Sequence, residues 1–151
     1  MKKIIFVCTG NICRSAMAHH YMQEKVKELN KEDDYLIDSC GIYASTGDKA
    51  TSSAVMVMKK YGVMLENHRA TSIFDTDLKI YDIIICMTKE HKQEILYQFK
   101  ELKGKVYTLK EYVDENTSDV DTKDPWGHGL EEYERCSKEI VYYVDKLLEK
   151  F

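Results

Sequence analysis

Ile4-Ile5-Phe6-Val7-Cys8-Thr9-Gly10-Asn11-Ile12-Cys13-Arg14-Ser15 is the stretch on which the architecture turns. Its first four residues are continuously apolar and mostly β-branched, the pattern of a short strand buried on both faces. The run breaks at Cys8-Thr9-Gly10-Asn11 and resumes with helical spacing at Ala18, Tyr21, Met22, Val26 and Leu29. Asn30 to Asp34 is a polar turn, and Tyr35 to Ile42 reads as a second strand. A Ser-, Thr- and Gly-rich loop from Tyr43 to Ser53 leads to a helix on Ala54, Val55, Met58 and Tyr61, stopped by Gly62. Asp82 to Met87 is the clearest interior strand. A helix through Ile95, Leu96 and Phe99 and a strand over Val106-Tyr107-Thr108-Leu109 follow. Asp114 to Gly129 is acidic and irregular, and Leu130 to Phe151 carries the stripe of a long amphipathic helix.

Strands alternating with helices imply an α/β fold: three α/β/α layers around a parallel, Rossmann-like sheet. Ligands of such sheets bind beyond the carboxyl ends of the strands at a switch point, so the loop starting at Cys8 is where chemistry is expected. The 151 residues suit one domain, 1–151, and no internal repeat or linker divides them. No apolar run approaches the roughly 20 residues of a membrane span. Polar Thr9, Gly10 and Asn11 interrupt the start too early for a signal peptide. A net charge of −4 argues against a nucleic-acid partner. Five cysteines, an odd count with no CxxC pair and no zinc-like spacing, point to free thiols in a reducing, cytoplasmic compartment and to no metal site.

The loop suits phosphoryl transfer residue by residue. A loop entering a helix aims backbone N–H groups at one point and adds the helix dipole, which makes an anion cradle of Thr9 to Cys13. Gly10 and Asn11 tolerate the positive φ angles of such a cradle. Arg14 offers a planar fork that holds two phosphoryl oxygens. The same positive environment favours the thiolate of Cys8, and Ser15 can donate a hydrogen bond to it. The competing reading makes Cys8 a packed strand end; its position at a strand-to-helix junction favours chemistry.

The chain resembles the low molecular weight protein tyrosine phosphatases. FVCTGNICRS (6–15), DSCG (38–41), NHRAT (67–71), IIICM (83–87) and DPWG (124–127) occur in that family's order and span nearly the whole chain. The resemblance implies a four-stranded parallel sheet, no cofactor and no metal. It also implies phosphorylated proteins as partners, phosphotyrosine foremost, and a monomeric or weakly self-associating enzyme. It assigns the nucleophile to Cys8, phosphate binding to Arg14 and the general acid and base to Asp124. From residues alone, Asp124 is one acid among Asp114, Glu115, Asp119 and Asp121 in a solvated loop. By the same resemblance Asn11, Ser15, Ser39 and His68 brace the loop, and Cys13 is a second loop cysteine able to pair reversibly with Cys8. Trp126 forms one wall of the substrate slot, with Tyr43 expected opposite. A surface role for His68 and core packing for Cys13 and Trp126 are the alternatives.

Three rival functions share the loop. The protein-arginine-phosphatase branch of the family carries Thr where this chain has Ile12, and a bulky apolar residue suits an aryl group. Residues 41–71, however, match that branch in spacing. Thioredoxin-coupled arsenate reductases need two further cysteines after the third strand, where Cys86 has no neighbour of its kind. Phosphate-binding carrier modules of similar topology lack the arginine.

Overall fold

The computed structural model describes residues 1–151. β1 (Lys2–Cys8), β2 (Tyr35–Gly41), β3 (Ile83–Cys86) and β4 (Val106–Thr108) form one parallel sheet in the order β2-β1-β3-β4. β1 lies inside the sheet, and its residues alternate between two cores as the twofold period of a strand requires. Ile4, Phe6 and Cys8 face a core completed by α1 (Arg14–Glu28), α2 (Ser52–Met58) and α5 (Leu130–Glu149). Ile5 and Val7 face the other, with Cys40, Ile84, Cys86 and Ile95 of α3 (Lys89–Gln98). Burial on both faces is why Ile4 to Val7 shows no polar alternation. The four-stranded, three-layer fold is therefore as the sequence predicts.

The differences are local. Leu109 is not the end of a strand but the first residue of α4 (Leu109–Val113). Thr108 and Glu111 form a capping box, with Glu111 N donating to Thr108 Oγ1 at 3.1 Å and Thr108 N donating to Glu111 Oε2 at 2.7 Å. That pairing starts a helix despite the β-branched run before it. Ser72–Ile80 folds into short 3₁₀ turns that carry no regular apolar period. α5 is amphipathic as expected, burying Tyr133, Cys136, Ile140, Val144 and Leu147. All five cysteines are free and buried. No helix is long and apolar enough to cross a membrane.

The chain enters the sheet at β1, steps outward to β2 and then crosses back to β3 on the other side of β1. The switch point thus falls at the carboxyl end of β1, beside Cys8.

Candidate active site

Cys8 ends β1 and Arg14 opens α1, so the five residues between them wrap a single point. The start of α1 has no side-chain cap, because Cys13 at the N-cap makes none, and no acidic residue occupies the first turn. Unsatisfied N–H groups and the positive end of the helix dipole are left for an external anion. A cavity of about 210 Å³ opens there, lined by Cys8, Thr9, Gly10, Ile12, Cys13, Arg14, Asp124 and Trp126.

Cys8 is only 2% exposed and lies at the base of this cavity. Its Sγ is 2.9 Å from Ser15 Oγ and accepts from Asn11 N at 3.3 Å. Asn11 Nδ2 donates to Ser15 Oγ at 2.8 Å, which leaves the Ser15 proton free to point at sulfur. Two donors therefore converge on Sγ. Asn11 has φ 57°, the left-handed value that Asn tolerates better than most residues. Gly10 departs from expectation, since its φ is not positive. A Cβ there would touch only the Ile12 side chain, at 3.5 Å.

The glycine that the loop requires is Gly41. A Cβ at that position would lie 2.6 Å from Thr9 O and 2.9 Å from Asn11 N. β2 continues its pairing into the loop here, with Ile42 N donating to Cys8 O and Tyr43 N to Thr9 O. Asn11 Oδ1 accepts from Thr71 N at 2.9 Å, and His68 Nε2 donates to Asn11 O at 2.7 Å. Asn11, Ser15 and His68 thus make hydrogen bonds within and to the loop from outside the cavity. Ser39 does so at one remove, because its hydroxyl meets His19 Nδ1 at 2.8 Å rather than the loop itself.

Arg14 is 4% exposed. Nη1 donates to Thr122 O at 2.9 Å, and Nη2 reaches Thr9 Oγ1 at 3.4 Å and Asp124 Oδ2 at 3.6 Å. The irregular 114–129 segment is held in place at several points. Lys110 pairs with Asp119 at 3.1 Å, Lys89 N donates to Asp121 Oδ1 at 2.8 Å, and Thr122 N donates to Met87 O at 2.8 Å. These contacts separate the acids that look alike in sequence: only Asp124 lines the cavity. Trp126 N donates to Asp124 Oδ1 at 3.0 Å.

Trp126 stands 62% exposed at the rim, so its role is not core packing. Tyr43 is 75% exposed and does not line the cavity, which corrects the expectation of an opposite aromatic wall. Ile12 supplies the apolar surface instead. Cys13 contacts Tyr133 Oη at 3.2 Å, and burial pushes its thiol upward, so the second loop cysteine is a neutral thiol.

His91, in the first turn of α3, is a residue that sequence reasoning missed. Its Nε2 lies 2.8 Å from Thr9 Oγ1, and its buried Nδ1 has no partner. Burial, with Arg14 adding repulsion, pulls its pKa from 6.5 to about 4. The folded ring is therefore neutral where an unfolded one binds a proton. As pH falls from about 6.5 towards 4, the unfolded state is favoured by about 1.4 kcal/mol per pH unit, roughly 3 kcal/mol in all. Urea unfolding at pH 7 and 5 should show this loss, and His91→Gln should make the slope shallower while leaving the part that the other buried histidines, His19 and His20, contribute. An equal slope in the variant would assign the loss to other groups.

Comparison with known proteins agrees with this geometry. Residues 3–151 match the family model described as low molecular weight phosphotyrosine protein phosphatase. The chain is 34% identical over 148 residues to a protein-arginine-phosphatase of Geobacillus stearothermophilus, covering 98% of this chain and 95% of that protein. It is 35% identical over 145 residues to a low molecular weight protein-tyrosine-phosphatase of Staphylococcus epidermidis, covering 96% of each. A crystal structure of a low molecular weight protein tyrosine phosphatase from T. tengcongensis matches with TM-score 0.91 and 39% identity, covering 100% of both chains. The chain belongs to the low molecular weight phosphotyrosine protein phosphatase family, cysteine-dependent hydrolases that act on phosphorylated proteins.

Proposed function

We propose that the chain is a single cytoplasmic phosphatase domain that hydrolyses phosphotyrosine in proteins through a cysteinyl-phosphate. The observation that carries the substrate is the pairing of Ile12 and Trp126 around a narrow cavity with Cys8 and Arg14 within it. An anion cradle beneath apolar walls fits an aryl phosphate, with the phosphoryl group at the base and the ring between the walls. Five free cysteines fit a reducing compartment.

In the first step Cys8 Sγ attacks phosphorus in line as the P–O bond to the aryl oxygen breaks. Asp124 protonates that oxygen. Oδ1 is engaged by Trp126 N–H, which leaves Oδ2 to face the leaving group. In the second step water attacks phosphorus, the S–P bond breaks, and Asp124 takes the proton of the water. Ser15 and Asn11 N–H stabilise the departing thiolate. Arg14 and the loop amides hold the equatorial oxygens throughout. Asp124→Asn should lower kcat/KM, which reports the ester-cleaving first step, by about 10²–10⁴ on an alkyl-like leaving group. It should lower kcat/KM much less on p-nitrophenyl phosphate, whose leaving group needs little protonation. A uniform loss on both substrates would remove the acid role.

A second reading has a specific observation behind it, since arginine and tyrosine phosphatases match the chain at nearly equal identity. Rates on matched phosphotyrosine and phosphoarginine peptides separate the two. The expected result is faster phosphotyrosine turnover, with Ile12→Thr shifting the ratio towards phosphoarginine by about tenfold or more. Faster phosphoarginine turnover by the unaltered protein would reverse the assignment.

A further inference from the structure

Behind the loop, three imidazoles meet. His19 and His20 are adjacent on α1, with ring centroids 4.1 Å apart, and the His68 ring stands edge-on to His20 at 5.0 Å. One ligand nitrogen from each of the three lies within 4.8 Å of the other two. We propose that His19, His20 and His68 bind a divalent, imidazole-seeking metal ion of the zinc, cobalt or nickel class, clipping α1 to the segment that braces the loop. This assignment does not depend on the phosphatase reading.

The tautomers follow from the partners. The Asn11 carbonyl can only accept, so His68 Nε2 carries its proton and His68 Nδ1 presents a lone pair. That lone pair faces His20 Nε2 at 2.9 Å, and the intervening hydrogen belongs to His20. Moving this hydrogen to His20 Nδ1 exposes two nitrogen lone pairs to one point and keeps both rings neutral. The metal then gains nitrogen ligands and loses waters, with no proton released and no change of oxidation state. Ser39 Oγ accepting from His19 Nδ1 would leave His19 Nε2 as the third donor. A metal-bound imidazole whose other N–H is held by a carbonyl or hydroxyl is the arrangement that fixes ligand orientation.

The remaining surroundings agree. Burial, the largest cause in each case, draws the pKa of His19 to about 4 and of His20 to about 3, and lowers that of His68. No proton competes for the lone pairs at neutral pH. Asp38, the nearby carboxylate, spends its oxygens on Ser39 N and the Tyr81 hydroxyl. A tetrahedral ion with bonds of about 2.0 Å needs its nitrogens about 3.3 Å apart. The His20–His68 pair is already that close, and the His19 ligand atom lies within 4.8 Å of both. A surface cleft of about 310 Å³ reaches His20, with Gln23, Glu24, Lys27 and Gly62 also in its lining. His20 and His68 are 48 residues apart, so no local motif announces the trio.

The test is a cobalt(II) titration of Cys8→Ser/Cys13→Ser protein free of any affinity tag, which removes the loop thiols as rival ligands. The expected result is saturation at one equivalent, visible absorption without a sulfur-to-cobalt band, and displacement by zinc. Zinc should also raise Tm. His19→Ala and His20→Ala should each weaken binding by at least about tenfold. Should either variant fail to fold, NMR of the parent protein decides. Cobalt must broaden the His19, His20 and His68 rings and spare His91 and His128. No saturable binding, binding unchanged in both variants, or broadening elsewhere would overturn the site.

Discussion

Cys8→Ser protein should fold normally and turn over aryl phosphates about 10,000-fold more slowly or worse, the scale of losing a covalent nucleophile. The substitution is nearly isosteric at a position 2% exposed, and the contacts from Ser15 Oγ and Asn11 N have an oxygen to meet in place of sulfur. What disappears is sulfur, a better nucleophile and a better leaving atom than a hydroxyl oxygen. A hydroxyl at the same point remains protonated, and no imidazole lies on it to act as base, since His91 contacts Thr9 instead. Single-turnover kinetics with acid quench should trap a phosphocysteine in the parent protein and none in the variant. Calorimetry should give the two similar Tm values. Turnover within tenfold of the parent would remove Cys8 as the nucleophile.

Arg14→Lys should cost about 10³-fold in kcat/KM, within the range measured where an arginine stabilises a phosphoryl transition state. Three losses coincide. A lysine cannot present a planar fork to two oxygens. The Thr122 carbonyl, which accepts from Nη1 at 2.9 Å, loses a buried partner. Asp124 loses the guanidinium nitrogen 3.6 Å from Oδ2, which a shorter lysine does not replace. The first loss weakens phosphate binding, whereas the other two displace the segment that carries the acid. Inhibition by inorganic phosphate should therefore weaken along with kcat. Loss of kcat with unchanged phosphate affinity would mean that Arg14 acts only through the 122–124 segment.

The sheet was readable because its interior strands bury both faces, which forces uninterrupted apolar runs such as Ile83-Ile84-Ile85. The cavity was readable for a similar reason: Cys8, Arg14 and the residues between them belong to one continuous turn. Contacts made across the chain were not. His91 approaches Thr9 from 82 residues away, and nothing in Lys89 to Lys92 marks it apart from its place after β3. Gly41 owes its identity to the backbone of another segment, and the DSCG stretch only hints at this. Tyr43 was misplaced because its backbone, not its ring, is what the loop uses. α4 was missed because a capping box after three β-favouring residues reads as strand until the Glu111 side chain turns back.

The uncapped start of α1 places stability and turnover in opposition. A Ser, Thr or Asp cap commonly adds about 1 kcal/mol to a helix end, and here that end stands open beside Cys8. Selection for heat resistance would favour filling it with a side chain, and the most stable variants obtained in that way should be the least active. A bound oxyanion supplies the missing cap reversibly. The catalyst is thus least robust at rest and most robust when occupied, so substrate supply, and not only chaperones, would protect it during thermal stress.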